Sequence, residues 1–158
     1  MRAGFDIVTM EAEHLDLVVE AGVEFFNESN LNGWLTVNRA GYRTMLEDSL
    51  DNGGVASFLA VSCNQVVGYI HIYCQNEYTV EPVGELFQFF VRPEWRGTGV
   101  ARSLIEAAQA QYIAWGCKRA YAEAAPGLRD PRHLNLFRNL FGKFGYEPIG
   151  ATFMKDFR

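Results

Sequence analysis

Hydrophobic and polar positions divide the first part of the chain into segments of strand and helix type. Apolar and polar residues alternate over Phe5–Met10, which predicts a strand. Ala12–Asn27 carries its apolar residues at helical spacing, and Asn38 can cap a second helix that ends near Asp51. The polar segment Glu28–Val37 between the two helices predicts a loop.

The middle of the chain is dominated by apolar, β-branched and aromatic runs. Val55–Ser62 and Val66–Cys74 flank Asn64 and Gln65, a pattern that predicts a β-hairpin. A polar connection then leads to Gly84–Val91, whose sequence GELFQFFV is typical of a buried strand. A short turn and a long amphipathic helix follow this strand.

The last third of the chain predicts three further strands and one helix. Arg119–Ala125 reads as a strand, and Asp130 followed by Pro131 is typical of a helix start. Tyr146–Ile149 and Thr152–Phe157 supply the last predicted strands. The order β-α-α-β-β-β-α-β-α-β-β indicates an α/β (α+β) fold, with one mixed sheet of roughly six to seven strands and about four helices on its faces.

The turn that follows Gly84–Val91 is the most informative stretch of the chain. It contains Gly97 and Gly99, and glycine lets backbone N–H groups approach a ligand closely. The next helix directs the positive end of its dipole at the same point, so the turn predicts a site for phosphate or pyrophosphate. The Walker pattern G-x-x-x-x-G-K-[ST] is absent from the sequence, and the dinucleotide fingerprint G-x-G-x-x-G fails at Arg102.

The run Arg96–Ala101 reads R-G-T-G-V-A and resembles motif A, Q/R-x-x-G-x-G/A, of the GNAT superfamily of acyl-CoA-dependent N-acyltransferases. Glu85, Leu86, Val91 and Pro93 are similar to the E-L and V-x-P-x-x-R-G elements that precede this motif in the family. The order of predicted elements resembles the GNAT fold over nearly the whole chain. The resemblance therefore implies one GNAT-like domain over residues 1–158.

The resemblance also implies acetyl-CoA as the co-substrate. In GNAT proteins the pantetheine arm lies where the strand before motif A and the strand after its helix splay apart, and the pyrophosphate lies on the motif A loop. The residues whose backbone is expected to contact the arm are Phe89, Phe90 and Val91. The residues expected to receive the pyrophosphate are Arg96, Gly97, Thr98, Gly99, Val100 and Ala101.

The reaction that the resemblance implies is attack of an amine on the thioester carbonyl. Because most amines are protonated at neutral pH, the enzyme must remove a proton, stabilise the carbonyl oxygen and protonate the leaving thiolate. Glu85 opens the cofactor strand and is the candidate general base, with Glu123 as the second candidate. The competing interpretation of both residues is a carboxylate that faces solvent.

The general acid is less clearly indicated. Many GNAT proteins carry a tyrosine four residues before the glycine of a late G-F pair. The matching pair here is Gly145 and Tyr146, so that position falls on Phe141, and the family's asparagine falls on Leu134. Phenylalanine cannot donate a proton, which makes Tyr121 the candidate acid, although a packed core tyrosine is the competing interpretation. The alternatives are Tyr73, Ser103, water, or departure of the thiolate unprotonated.

The acceptor site is expected to form from the loop Glu28–Val37, the second helix and the connection Gln75–Pro82. Aromatic side chains beside carboxylates suit an amine with a carbon skeleton, whether a small molecule or a peptide or protein. Core aromatics and surface acids are an equally good interpretation. The residues concerned are Phe25, Phe26, Glu28, Trp34, Glu77 and Glu81.

Composition narrows the class of partner. The 158 residues carry a net charge of −5, which argues against nucleic acid as a main partner. Cys63, Cys74 and Cys117 are far apart and the histidines lack metal-ligand spacing, so neither a disulfide framework nor a metal site is predicted. No apolar run approaches the roughly 18 residues of a membrane span, and the N-terminus turns acidic where a signal peptide is apolar, which predicts a cytoplasmic protein.

Two alternatives to an N-acetyltransferase stay open at this point. Phe141 in place of tyrosine favours a non-catalytic CoA-binding sensor or interaction module. A GNAT-like fold without a CoA site would require that packing alone explains Arg96–Ala101. Around this turn, Arg92 and Arg102 are expected at the surface, whereas Arg96 suits either the surface or the anionic cofactor. GNAT proteins are often dimers, so a homodimer is a further expectation.

Overall fold

The computed structural model describes residues 4–29, 31–33, 35–122 and 131–149, without the side chains of residues 131–134. Its helices are α1 (Leu15–Glu28), α2 (Arg39–Ser49), α3 (Val100–Ala114) and α4 (Pro131–Gly142). Its strands are β1 (Asp6–Thr9), β2 (Val55–Ser62), β3 (Gln65–Gln75), β4 (Val83–Val91) and β5 (Arg119–Ala122). A 3₁₀ turn at Ala12–His14 precedes α1, so the helix predicted from Ala12 becomes α-helical only at Leu15.

The strands form one mixed sheet in the order β1-β2-β3-β4-β5. Each of β1 to β4 pairs antiparallel with its neighbours among those four strands, whereas β5 runs parallel to β4 because α3 crosses over between them. The described part of the chain thus confirms the predicted mixed α/β architecture with four helices.

The prediction of six to seven strands is wrong for the described residues, which contain five. Tyr146–Ile149 forms no strand. Instead the backbone N–H of Tyr146 donates to the carbonyl oxygen of Phe141 at 3.1 Å, and Gly145 takes a positive φ of 82°. Because this glycine-dependent helix end governs the segment, its strand-like pattern of residues is overridden. The predicted features that lie outside the described residues are Thr152–Phe157, the end of Arg119–Ala125 beyond Ala122, and Asp130.

The hairpin of β2 and β3 turns one residue earlier than predicted. Ser62 pairs with Gln65, so the two turn residues are Cys63 and Asn64. Both take positive φ, 48° and 59°, as a two-residue type I′ turn requires. Asparagine enters this left-handed region more readily than most residues, which explains its place in the turn.

Helices cover both faces of the sheet and create two hydrophobic clusters. On one face α3 buries Leu104 and Ile105 against the central strands. On the other face α1 and α2 bury Val18 and Leu46. Burial of each such side chain stabilises the fold by roughly 1.5–3 kcal/mol. The central strands β3 and β4 are therefore held from both faces, and they form a firm base for a site at the end of β4.

Candidate active site

The turn between β4 and α3 has the geometry that an anionic ligand needs. Gly97 and Gly99 take positive φ values of 76° and 103°, and a Cβ built on either residue would meet no described atom within 4 Å. Gly99 is the N-cap of α3, and no side chain accepts a hydrogen bond at this cap. The first N–H groups of a helix have no partner within the helix, so they are available to a pyrophosphate. The residues present therefore fit the phosphate part of CoA.

The protein side of this turn is fixed by close packing. The hydroxyl of Thr98 donates to the carbonyl oxygen of Trp95 at 2.6 Å, and Val100 at the start of α3 is fully buried. A Cβ on Gly68 of β3 would lie 3.0 Å from a side-chain carbon of Val100 and 3.0 Å from the carbonyl oxygen of Phe90. The absence of a side chain at Gly68 thus lets α3 begin directly against the sheet.

Two arginines near the turn are held by the end of α1. Nη2 of Arg92 donates to Glu24 at 2.9 Å, and Nη2 of Arg96 donates to Glu28 at 2.5 Å. The side chain of Arg92 is only 18% exposed, so the expectation of a surface arginine is wrong. Arg96 also donates through Nε to the carbonyl oxygen of Val91 at 2.9 Å. These bonds tie the cofactor turn to α1, and the fit to pyrophosphate rests on backbone N–H groups rather than on these two cations.

β4 pairs with β5 over its first four residues. Val83–Leu86 lies in parallel register with Arg119–Ala122, where the described part of β5 ends. The downstream segment Phe89–Val91 pairs with β3 on its other side. No described residue pairs with the second edge of Phe89–Val91, the edge with which the pantetheine arm is predicted to pair. The carbonyl oxygen of Val91 already accepts Nε of Arg96, so one of its acceptor positions is occupied by the protein.

A β-bulge in β4 follows the residues that pair with β5. On β3, His71 pairs with Gln88 while the next residue, Ile72, pairs with Leu86. Phe87 is therefore an extra residue in β4. A bulge leaves its extra residue outside the ladder and bends the strand. β4 is thus expected to bend at Phe87, a feature that the apolar pattern of the strand does not predict.

The structure brings the two candidate catalytic residues together. Glu85 and Tyr121 are register partners on β4 and β5, so their side chains leave the same face of the sheet. The half-buried carboxylate of Glu85 accepts a hydrogen bond from the amide of Gln75 at 2.7 Å. Tyr73 is the register partner of Glu85 on β3, and burial together with the charge of Glu85 raises the pKa of Tyr73. A carboxylate flanked by two tyrosines on the neighbouring strands is an arrangement suited to proton transfer.

Phe141 is a packing residue. It is 3% exposed, its ring stacks on Phe137 with centroids 4.1 Å apart, and it meets Phe89 edge-on at 6.0 Å. Tyr146 meets the same ring edge-on at 5.1 Å. Phe141 therefore attaches α4 to the segment Phe89–Val91 of β4 and contributes no proton.

The aromatic residues predicted for an acceptor site lie at the end of α1. Phe25 packs edge-on against both Phe26 and Phe90. Phe26 and Asn27 line a cavity between α1 and the loop that leads to α2. Glu28, the residue after Asn27, accepts the hydrogen bond from Arg96, so this cavity and the contact with the cofactor turn both lie at the C-terminal end of α1.

The acidic residues predicted for the acceptor site are paired with cations of the protein. Glu28 pairs with Arg96 at 2.5 Å, and Glu81 pairs with Lys118 at 2.7 Å. Glu77 is exposed. The predicted features that lie outside the described residues are Trp34, Glu123 and the side chain of Leu134.

The sequence favours a core or half-buried position for His71, but it does not predict the hydrogen-bond network of buried polar side chains that His71 joins on the Glu85 face of the sheet. Tyr42, Ser57, His71 and Gln88 are all at most 9% exposed and contact one another. Burial lowers the pKa of His71 to about 3, so its imidazole is neutral at physiological pH. The signal available in the sequence is the presence of a histidine and a glutamine inside apolar strand runs, but only the strand register makes them partners.

The three cysteines are free thiols, with Cys63 exposed and Cys74 and Cys117 partly buried. The sulfurs of Cys74 and Cys117 lie 3.9 Å apart, and burial, followed by the contact with Cys74, raises the pKa of Cys117 to about 11. Within the described ranges, no group of three histidine, cysteine, aspartate or glutamate residues could hold a metal ion. No helix in the described part of the chain is long and apolar enough to cross a bilayer.

Comparisons with known proteins agree with this site. A model of the acetyltransferase (GNAT) family matches residues 21–146. Aminoglycoside N(6')-acetyltransferase type 1 of Stenotrophomonas maltophilia is 32% identical over 84 residues, which cover 50% of this chain and 55% of that protein. The match thus spans about half the length of this curated relative.

Solved structures extend the likeness over the whole chain. Aminoglycoside N-acetyltransferase AAC(6')-Iy in complex with a bisubstrate analog is 22% identical, with a TM-score of 0.76 and 99% of both chains covered. The aminoglycoside 6'-N-acetyltransferase AAC(6')-IG of Acinetobacter haemolyticus is 18% identical, with a TM-score of 0.74 over 97% of this chain and 98% of that one. At these identities the likeness shows the fold.

The mixed sheet and the glycine turn between β4 and α3 fit the class of acyl-CoA-dependent acyltransferases. Because the family model covers most of the chain, the protein belongs to the acetyltransferase (GNAT) family, whose enzymes use acetyl-CoA as co-substrate. The resemblance inferred from Arg96–Ala101 is thereby confirmed. The assignment of individual catalytic and cofactor-binding residues stays a prediction.

Proposed function

We propose that this protein transfers the acetyl group of acetyl-CoA to a primary amine of a small aminoglycoside-like molecule. The observation that carries the proposal is the glycine turn, Gly97 to Gly99, after the strand that places Glu85 between Tyr73 and Tyr121. The family match supports acetyl transfer. The curated relative is an aminoglycoside acetyltransferase, which favours a small-molecule amine over a peptide.

In this proposal the chain holds the co-substrate with backbone groups and moves one proton with a side chain. The N–H groups of Gly97, Gly99, Val100 and Ala101 receive the pyrophosphate, because those of Arg96 and Thr98 already donate to carbonyl oxygens within the turn. The second edge of Phe89–Val91 pairs with the arm. Bound acetyl-CoA supplies the acetyl thioester. Glu85 takes a proton from the amine, a new N–C bond forms to the acetyl carbon, and the C–S bond to CoA breaks.

Tyr121 is the proposed proton donor to the departing sulfur. It lies in register with Glu85 on the neighbouring strand β5. Tyr73 is the alternative on the other side of Glu85, and its raised pKa keeps its hydroxyl protonated at neutral pH. Phe141 is excluded because it is buried in an aromatic cluster and has no hydroxyl.

A second candidate is a CoA-binding module that does not catalyse transfer. The observation that favours it is Phe141 at the position of the family's usual tyrosine. The two candidates share the cofactor turn and differ in whether an amine triggers release of CoA. Binding of acetyl-CoA alone therefore does not separate them, whereas amine-dependent release does.

The test is a mass-spectrometric assay of acetyl-CoA consumption and product formation with the purified protein. The acceptors are an aminoglycoside, glucosamine as a single amino sugar, and a short peptide with a free N-terminal amine. Acetylated aminoglycoside supports the proposal, and transfer to the peptide alone overturns its substrate class. Calorimetric binding of acetyl-CoA without transfer to any amine favours the CoA-binding module. No binding at millimolar acetyl-CoA overturns both.

A further inference from the structure

A buried hydrogen-bond network joins α2 to three strands directly beneath the bulge of β4. The hydroxyl of Tyr42 on α2 donates to Oε1 of Gln88 on β4 at 2.8 Å. Across the ladder, Nδ1 of His71 on β3 lies 2.7 Å from the hydroxyl of Ser57 on β2, and its Nε2 lies 3.5 Å from the hydroxyl of Tyr42. The network therefore connects four separate elements at one point of the sheet.

One tautomer of neutral His71 satisfies the whole network. The hydroxyl of Ser57 donates to Nδ1, the Nε2–H of His71 points to the oxygen of Tyr42, and Tyr42 donates to Gln88. Burial raises the pKa of Tyr42 and lowers that of His71, so both groups keep the neutral forms that this order of donors needs. A fully satisfied buried network is rigid, because breaking any one bond leaves a polar group without a partner.

The position of Tyr42 is itself closely determined. A Cβ on Gly22 of α1 would collide with the ring of Tyr42, so this glycine makes room for the ring between α1 and the sheet. The side chain of Asn38 caps α2 by accepting from the N–H of Gly41 at 3.0 Å. Tyr42 therefore reaches β4 from a helix whose N-terminus is capped one turn earlier and which packs against α1.

The network acts on the part of β4 where precise geometry matters for the proposed reaction. Gln88 is the first paired residue after the extra residue Phe87. Glu85, the candidate base, precedes the bulge, and Phe89–Val91, the segment expected to pair with the pantetheine arm, follows it. Holding Gln88 thus sets the position of Glu85 relative to that segment.

We propose that Tyr42 and Gln88 are positioning residues, which hold the bulge of β4 so that the candidate base Glu85 and the arm-pairing segment keep their relative placement. His71 and Ser57 support them from β3 and β2. This inference rests on the proposed acetyl transfer for its effect on turnover, but its effect on the bulge itself can be measured without any acceptor.

A neighbouring tyrosine provides a matched control. Tyr69 lies on the same face of β3, is fully buried, and its ring centroid is 4.7 Å from that of His71. Its hydroxyl lies beside that of Tyr42 but meets no hydrogen-bond geometry in the described part of the chain. Tyr42→Phe and Tyr69→Phe therefore each remove a hydroxyl oxygen from a buried ring, but only Tyr42→Phe removes a hydrogen bond of the network.

The experiment compares Tyr42→Phe, Gln88→Met, the double variant and Tyr69→Phe with the wild-type protein. We expect Tyr42→Phe and Gln88→Met each to lower kcat about tenfold at unchanged KM for acetyl-CoA, because small displacements at a reacting centre are costly. The double variant should be no slower than the worse single variant, as expected for residues that act through one contact. Tyr69→Phe should keep wild-type kcat, with a Tm within about 3 °C of that of Tyr42→Phe.

Hydrogen exchange at the amides of residues 86–89 is the second readout. Exchange there should be at least about fivefold faster in Tyr42→Phe than in Tyr69→Phe, because the bulge opens more often. Equal exchange in the two variants overturns the inference whether or not an acceptor has been found. Faster exchange with wild-type kcat also overturns it, because the bulge then moves without effect on the reaction. A wild-type protein that acetylates no amine instead contradicts the proposed function.

Discussion

Glu85 combines the features that a general base at this position needs. It lies at the last stretch of β4 that pairs with β5, between Tyr73 and Tyr121 on the flanking strands. Its carboxylate is half-buried and accepts one hydrogen bond, from Gln75 at 2.7 Å. A carboxylate oxygen has several acceptor positions, so this bond orients the group and leaves capacity for an incoming proton.

Glu85→Gln should therefore lower kcat for acetyl transfer by roughly 100-fold, because the amide cannot accept the proton of the amine. The calorimetric Kd for acetyl-CoA should stay at its wild-type value, since the turn at Gly97 and Gly99 is not altered. Glu106→Gln on the exposed side of α3 is the control and should behave as wild type. Full turnover in Glu85→Gln would show that another group takes the proton.

Because His71 is buried in its neutral form, we expect the fold to lose stability in acid. Its pKa is about 3 in the fold because of burial and about 6.5 in an unfolded chain. Below pH 6.5 the imidazole of His71 therefore binds a proton in the unfolded chain, whereas it stays neutral in the folded chain. Stability contributed by the neutral imidazole is complete above about pH 6.5 and is lost as the pH falls toward 3.

Urea unfolding at pH 7.5 and pH 5 measures this loss, which should reach about 2 kcal/mol in the wild-type protein from this one group. His71→Gln should be less stable at pH 7.5 because the network is disturbed, but it should lose less stability on acidification. His14→Gln, in the 3₁₀ turn before α1, should retain the acid loss of the wild-type protein. An identical acid loss in His71→Gln would mean that His71 is protonated in the fold.

At the scale of elements, the start of α3 depends on a backbone conformation rather than on a side chain. Gly99 has a φ of 103°, which L-residues rarely adopt, and it places the first N–H groups of α3 beside open space. Gly99→Ala should raise the Kd for acetyl-CoA about tenfold and destabilise the fold by about 1–2 kcal/mol. Isothermal calorimetry and urea unfolding measure the two effects separately.

The other end of the same helix supplies the control. Gly116 follows α3 with a φ of 77°, and a Cβ there would also meet no described atom within 4 Å. Gly116→Ala should show a similar loss of stability without any change in the Kd for acetyl-CoA. If both variants weaken binding equally, the effect of Gly99 comes from general destabilisation and the assignment of the turn is wrong.

The elements that the sequence predicts well are those whose signal is local. The helix after Asn38 is confirmed because its cap and its apolar spacing lie within one segment, and the glycine turn is readable because φ at Gly97 and Gly99 depends on residue type. The strand predicted at Tyr146–Ile149 is wrong because the end of α4 determines that segment. The hairpin turn is misplaced by one residue because register, not composition, selects Cys63 and Asn64.

The candidate site likewise contains features that a local sequence pattern indicates and features that it does not. A six-residue pattern, Arg96–Ala101, is enough to indicate the cofactor and the family. The bulge at Phe87 and the contact between Tyr42 and Gln88 join residues far apart in the chain, so no local pattern can indicate them. Arg92 and Glu24 are likewise far apart in the chain, so no local pattern indicates their ion pair. Arg92, which was expected at the surface, is partly buried in this pair.

At the scale of the whole molecule, the charge of the protein is expected to act in opposite directions on the two substrates. The chain carries a net charge of −5, and CoA is also an anion. Two of the three arginines around the turn, Arg92 and Arg96, are paired with Glu24 and Glu28. The overall field therefore opposes the arrival of acetyl-CoA, whose binding must rest on short-range contacts with the turn, while the same field attracts a cationic acceptor.

This distribution predicts opposite responses to salt. Raising NaCl from 20 to 200 mM shortens the screening length from about 20 Å to about 7 Å, so kcat/KM for a polycationic aminoglycoside should fall several-fold. Glucosamine, with one amine, should show a smaller decrease, and kcat/KM for acetyl-CoA should stay constant or rise because screening removes repulsion. Steady-state kinetics with each substrate varied in turn measure all three. Equal losses for the two acceptors would mean that the acidic surface does not steer the amine, and that any preference for an aminoglycoside comes from contacts inside the site.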